Sequence, residues 1–462
     1  MKRTLVPWLL FISLMGIGGV VGASLLKPAH RPALQAKASL SASQAVQTKS
    51  HLQPGDWPQF RGPNSNGISN SKNPPLKWSS SENLRWTTKL PGPGSSSPIV
   101  LGNKVFVTCY SGYGDGSNGS KENLLRHLIC LNRKDGSILW EKKIKSEGPE
   151  DTFSGYISEH GYASSTPVTD GEAIYCFFGK AGVYAFNLEG RELWKAPVGT
   201  MSSNRRWGSA SSPILIDDKL IVNASEEARA LLAFDKNTGK QLWKAEGAKL
   251  ELCYGTPALF STPQGRKELV LALPGEFWGI NPNTGKLFWL AQSSLTGNVS
   301  PSVVMADDIA IGFGGFPRTG AVAIRAGDSG DVTSTNVIWE TSKGSYVPCG
   351  VVHEGNIFWM DDRGLASCAE TKTGTLVFQE RTGIEGGGGA SRAVYASTVM
   401  AGSHFFSVTR RQGTVVWKAS KTFEKVAINR FEADTTDFNA SPAIAGDQIF
   451  LRSNQAIYCV GN

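Results

Sequence analysis

Short apolar runs alternate with Gly, Asn, Asp and Pro clusters along most of this chain, and several of the runs end on a large aromatic after a tight turn. The pattern recurs as Asn237-Thr-Gly-Lys-Gln-Leu-Trp243, with variants at Asp135 to Trp140, Glu189 to Trp194, Asn283 to Trp289 and Lys372 to Phe378. A Gly in the turn supplies the positive φ that a tight hairpin needs, and the strand that follows carries an aromatic which one hairpin cannot bury alone. Between residues 207 and 245 four such strands are predicted: Ser211 to Leu215, Lys219 to Asn223, Leu231 to Asp235 and Gln241 to Ala245.

A second signal keeps step with the first: a small residue, usually followed by Pro, opens an apolar run. It occurs at Ser97, Thr166, Ser212, Thr256, Ser300, Val347, Ser397 and Ser441, at intervals of 69, 46, 44, 44, 47, 50 and 44 residues. That period is one four-stranded propeller blade. The eighth unit ends after three strands, and Asn83 to Thr88, centred on Trp86, is the segment that completes it. The sequence therefore predicts an all-β, eight-bladed β-propeller closed by an N-terminal strand, which leaves no open sheet edge.

Composition agrees with an all-β repeat: 52 Gly, 23 Pro and 13 Trp, with 19% charged residues. The net charge of +8 comes largely from the N-terminal segment, where six Lys or Arg stand against Asp56 alone, and no basic cluster argues for nucleic acid. Lys2 and Arg3 precede an uncharged run from Thr4 to Leu26, read as a signal peptide or an N-terminal membrane anchor, with residues 5–26 as the tether. Domains are accordingly 1–26 signal or anchor, 27–55 flexible linker and 56–462 propeller. The location expected is periplasmic or otherwise exported, either free or anchored to the inner membrane. Of seven cysteines, Cys176, Cys368 and Cys459 sit in apolar strands as buried thiols, and Cys109 with Cys130 is the one pair to test for a disulfide.

The repeated Thr-Gly-x-x-x-Trp units, the Ser-Pro strand openings and the segment from Asp56 to Asn64 together resemble the pyrroloquinoline quinone (PQQ) repeat propellers, over about residues 56–462. That superfamily holds quinoprotein alcohol dehydrogenases and the non-enzymatic outer-membrane assembly propeller, so fold likeness alone does not decide activity. The resemblance to the dehydrogenases implies PQQ with calcium. Their adjacent cysteine pair does not occur here, and their Glu, Asn and Asp calcium motifs do not align onto this chain. The expectation is a non-catalytic, monomeric binding or scaffold protein of the bacterial envelope, with a PQQ-dependent alcohol dehydrogenase as the alternative. Its partner would be an envelope protein, a glycan or a small anionic ligand.

Propeller topology gathers the connectors between blades and the loops between second and third strands at one mouth of the channel. The candidate ligand-binding residues there are Glu159, His160, Arg205, Trp207, Glu226, Glu276, Trp278, Arg318, Arg363, Arg392 and Asp437. Arginines can clamp an anion and tryptophans can stack on a planar or sugar-like group. His160 beside Glu159 reads either as a general base or as a hydrogen-bonding spacer. No catalytic residue and no metal site is assigned, because the carboxylates lack His or Cys ligand spacing. The glycine-rich loop from Tyr110 to Arg126 is read as a cover for the mouth.

Overall fold

A computed structural model describes residues 52–145, 147–384 and 392–461. The signal or anchor expected at 1–26 and most of the linker lie outside these residues. No helix among the described residues is long and apolar enough to cross a membrane.

Among the described residues there are eight sheets, each built on four antiparallel strands, and two of them carry a short fifth strand in parallel. Their inner strands are Ile99–Leu101, Val168–Thr169, Ile214–Ile216, Ala258–Ser261, Val304–Ala306, Val351–His353, Val399–Ala401 and Ala443–Ala445, which number blades 1 to 8. The last blade takes Leu84–Lys89 as its outer strand, antiparallel to Ala456–Gly461 with Trp86 opposite Cys459, so the ring closes as the sequence predicts.

The turn glycine and the aromatic prove to be two halves of one joint between neighbouring blades. The Trp194 indole donates to the Lys236 carbonyl of the next blade at 2.9 Å, and the ring lies over Gly239, where a Cβ would come within 2.5 Å of it. Gly239 thus needs its lack of side chain twice, for a φ of 71° and for contact with the tryptophan. Trp86, Trp140, Trp243 and Trp339 donate in the same way to Arg133, Leu188, Pro282 and Thr371. Trp289 and Trp417 depart from the rule and donate within their own blades, to Glu268 and Ser407.

The segment that precedes blade 1 fills the lower channel as a plug. Trp57 exchanges hydrogen bonds with Val100 of blade 1 at 2.8 and 2.9 Å, and Pro58 accepts from Thr169 of blade 2 at 3.0 Å. Arg61 donates to Gly350 of blade 6 at 2.5 Å. Ile68–Ser69 runs parallel to the inner strand of blade 7, and the Ser69 hydroxyl donates to Ile444 of blade 8 at 2.7 Å.

All seven cysteines are buried free thiols, which corrects the pairing of Cys109 with Cys130. Cys109 packs in the cluster shared with blade 8, whereas Cys130 packs with Cys176 and Tyr184 of blade 2. The two thiols therefore leave opposite faces of one sheet, and no disulfide geometry joins them.

Candidate functional site

The small residues that open the inner strands form the floor of the site. Each backbone N–H donates to the side chain of the next blade: Ser97 to Thr166 at 2.9 Å, Thr166 to Ser212 at 3.0 Å, Ser212 to Thr256 at 2.9 Å and Thr256 to Ser302 at 2.9 Å. The belt continues from Ser302 to Cys349 Sγ at 3.1 Å, from Cys349 to Ser397 at 3.0 Å and from Ser397 to Ser441 at 2.8 Å. Ser97 Oγ, where the belt would close, is buried without a hydrogen-bond partner among the described residues. Ser302 and Cys349, rather than Ser300 and Val347, hold the equivalent positions in blades 5 and 6.

Above this floor is a cavity of about 150 Å³. Its aromatic wall is Tyr156, Trp207, Tyr254, Tyr346 and Tyr395, and the plug contributes Phe60. The aromatics brace one another, with Tyr156 and Trp207 edge to face at 4.4 Å and Trp207 and Tyr254 at 6.1 Å. Arg392 lies over Tyr346 at 3.8 Å and pairs with Asp362, while the Tyr346 hydroxyl donates to Asn298 at 3.1 Å.

A four-residue helix, Ile157–His160, carries Glu159 and His160 to the cavity. Both nitrogens of His160 are engaged. Nε2 donates to the Trp207 carbonyl at 2.8 Å, and Nδ1 meets Ser164 Oγ at 2.5 Å. Burial holds the imidazole below its ordinary pKa, so it is a neutral spacer rather than a free base. Glu159 is likewise engaged, its carboxylate 2.8 Å from Arg410, which also pairs with Asp437 at 2.5 Å.

The remaining predicted residues form a rim or stand apart. Arg205 lies 5.7 Å from the centre of the Trp207 ring, and the exposed Arg363 pairs with buried Asp361 at 2.7 Å. Arg318 is exposed beyond the cavity lining. Glu226 lies one layer out, accepting from the Tyr254 hydroxyl at 2.7 Å and the Ser203 N–H at 2.9 Å, and burial raises its pKa. Glu276 and Trp278 are not brought to the cavity; they bond each other at 2.7 Å within blade 4.

The glycine-rich loop is not a cover, since none of its described residues lines the cavity. Tyr113 packs against Phe153 and Tyr162, and Gly114 accepts from the Tyr110 hydroxyl at 3.0 Å. The loop buttresses the connector that holds Tyr156, Glu159 and His160. Reading the sequence missed Tyr156, Tyr395, the hydroxyl belt and Phe60. The belt had a visible signal in the repeated Ser or Thr before Pro, which was read only as a strand opening.

Calcium-bound PQQ does not fit these residues. Glu159, Asp437, Asp361 and Asp362 are each paired with arginine, and no group of three His, Cys, Asp or Glu side chains among the described residues has the arrangement to hold a metal. A cavity of about 150 Å³ is also ring-sized, against the several hundred Å³ of an ordinary cofactor site.

No curated protein sequence matches the chain. Among solved structures, it is similar to BamB from Moraxella catarrhalis at 10% identity and a TM-score of 0.54, covering 81% of this chain and 96% of that one. It is similar to a europium-containing methanol dehydrogenase at 11% identity and a TM-score of 0.59, covering 90% and 99%. A quinohemoprotein alcohol dehydrogenase from Pseudomonas putida HK5 gives 11% identity and 0.56, covering 88% and 80%. These likenesses are of fold. The model of the family described as outer membrane protein assembly factor BamB matches residues 76–209 and 126–380, more than half of the sequence, and the chain belongs to that family.

Proposed function

We propose that this protein is an exported, non-catalytic binding protein of the bacterial envelope whose channel mouth receives an acidic segment of a protein partner, with one ring-sized or apolar side chain of that segment entering the aromatic cavity. The observation that carries the reading is the arrangement of charge around the mouth. Carboxylates Asp361, Asp362 and Asp437 point inward and are buried or nearly so, whereas the guanidiniums of Arg363 and Arg411 are 67% and 70% exposed. Arg205, Arg206 and Arg318 are exposed beside them. A surface of this kind attracts carboxylates through bidentate contacts and steers an acidic partner toward the mouth.

The cavity complements that rim. Five aromatics offer stacking faces, and the floor hydroxyls accept from the backbone while keeping their own hydrogens for an entering group. Among the described residues, the carboxylate and the imidazole at the cavity, Glu159 and His160, are both engaged, which supports binding over dehydrogenation. Family membership supports an envelope partner, and the apolar run from Thr4 to Leu26 supports export.

The test is affinity capture from envelope fractions with the wild-type chain and with the triple variant Arg205→Glu, Arg363→Glu, Arg411→Glu. One protein retained by the wild type at low salt, and lost in the variant, is the result expected. Equal capture by both chains removes the rim from the account. Addition of PQQ and calcium should leave the absorbance of the cofactor unchanged; a shifted spectrum with dye-linked alcohol oxidation would restore the dehydrogenase alternative.

A further inference from the structure

The floor belt is an open ring. Seven of its eight side chains accept a backbone N–H from the preceding blade. The eighth, Ser97, accepts none: the Ser441 N–H that would complete the ring does not reach it, and Ser97 Oγ is buried with no hydrogen-bond partner among the described residues. Ser97 is 2% exposed and lines the cavity. A buried hydroxyl left unpaired is costly, so the cavity is where its partner must come from.

Higher in the cavity, polar groups are directed at one another. Both nitrogens of His160 are engaged, by the Trp207 carbonyl and by Ser164. The Asn439 side chain accepts from Arg410 and donates to the Glu159 carbonyl. The hydroxyls of Tyr254 and Tyr346 donate outward, to Glu226 and Asn298. What these side chains offer an occupant is their apolar faces. Spare hydrogen-bonding capacity lies in the floor, at Ser97 and at the adjacent Thr166, whose hydroxyl accepts the Ser97 N–H at 2.9 Å and retains its own hydrogen.

We propose that the cavity is a phenol subsite: the side chain it receives is a tyrosine, with its ring against the aromatic wall and its oxygen on Ser97. The inference rests on the reading of the mouth as the receptor of a partner segment, and adds the identity of the inserted residue. A single aromatic ring matches a cavity of about 150 Å³. The phenol O–H donates to Ser97 Oγ, and the phenol oxygen accepts the hydrogen of Thr166, so the two groups that lack a partner in the floor supply one another through the ligand.

Other side chains use the site less completely. Phenylalanine or leucine would fill the wall and leave Ser97 without a partner, and leucine would forgo ring stacking as well. A charged head would lose its water at a site where Glu159 and Arg410 are already paired with each other at 2.8 Å. The ranking of ligands is therefore diagnostic. An apolar cavity with no polar partner prefers toluene to p-cresol, because the cresol must give up the hydration of its hydroxyl. A floor that replaces that hydration reverses the order.

The experiment titrates the full chain with p-cresol and with toluene and measures each affinity by ligand-observed NMR. The wild type is expected to bind p-cresol about ten-fold more tightly than toluene. Ser97→Ala, which removes no hydrogen bond made by the Ser97 hydroxyl and keeps its N–H on Thr166, should weaken p-cresol about ten-fold and leave toluene within about two-fold. Toluene bound as tightly as p-cresol by the wild type overturns the proposal, as does binding of neither, and so does a Ser97→Ala protein with unchanged affinity for p-cresol. Should the variant not fold, the wild-type ranking decides. These titrations contain no partner protein. Envelope capture that depends on the arginine rim, together with a toluene-first ranking, therefore removes the phenol subsite and leaves the rim standing, whereas a cresol-first ranking with rim-independent capture does the reverse.

Discussion

Arg410, on blade 7, reaches across the mouth to Glu159 on the connector between blades 1 and 2, with its Nη1 2.8 Å from the carboxylate. The same guanidinium bonds Asn439 at 3.1 Å, whose amide in turn donates to the Glu159 carbonyl at 2.7 Å. Chain segments far apart in sequence are thereby tied at the point where the cavity opens.

Arg410→Met leaves Glu159 and Asp437 without their shared counter-ion, and removing one partner from a largely buried network costs on the order of 2–4 kcal/mol. Thermal unfolding should shift downward accordingly, with Arg410→Lys recovering part of the loss. An unchanged midpoint would mean that the connector is held by other contacts.

Glu227 sets an expected dependence on pH. Burial raises its pKa from 4.5 to about 7, with Ser209 donating to one oxygen while the other has no hydrogen-bond partner among the described residues. A carboxyl raised on folding binds its proton more tightly in the folded state. Stability is therefore highest below 4.5 as far as this group is concerned, falls as pH rises toward 7, and levels off above that. The loss across the window is about 3 kcal/mol. Denaturant unfolding from pH 4.5 to 8 should show this decline, and Glu227→Gln should flatten most of it. A residue of slope will persist from Glu226, which is shifted in the same direction.

The floor belt makes a prediction for single hydroxyls. Thr166→Ala leaves the buried Ser97 N–H unpaired and should cost about 1–3 kcal/mol, whereas Thr166→Ser keeps the acceptor and should cost less than about 1 kcal/mol. Cys349→Ser preserves the belt and should fold normally. Equal losses for the two Thr166 variants would show that methyl packing, not the hydrogen bond, matters there.

The turn in the plug is similarly exposed to test. Gly62 has a φ of 80°, and a Cβ there would lie 2.7 Å from the Trp57 ring. Gly62→Ala should destabilise the protein by about 2 kcal/mol or more, through strain and through displacement of Trp57. Protection of the Val100 amide from hydrogen exchange reads that displacement directly, because this N–H donates to the Trp57 carbonyl at 2.8 Å.

Much of the fold was legible because each blade repeats its own punctuation. The four strands expected between 207 and 245 appear as Ile214–Ile216, Lys219–Ala224, Ala230–Asp235 and Gln241–Glu246, and the Trp86 strand closes the ring. Periodicity could also assign loops to a face, which is why Glu159, His160 and Trp207 were found. It could not give radial depth. Glu276 and Trp278 lie in the strand Glu276–Ile280 rather than in the expected loop and bond each other, and Glu226 packs behind Tyr254. The segment from Asp56 to Ser69 breaks the repeat, so its contacts with five blades, and with them the closed floor of the cavity, were beyond reach of a repeat-based reading.

The account rests on the arginine-rimmed mouth as the partner surface, and photo-cross-linking in intact cells tests it most directly. A photoreactive residue is placed in turn at Arg363, at Arg411 and, on the opposite face, at Lys134. The prediction is an adduct with one envelope protein from the first two positions and not from the third, diminished when Trp207→Ala is added. No adduct at the rim, or an equal adduct from Lys134, would contradict it.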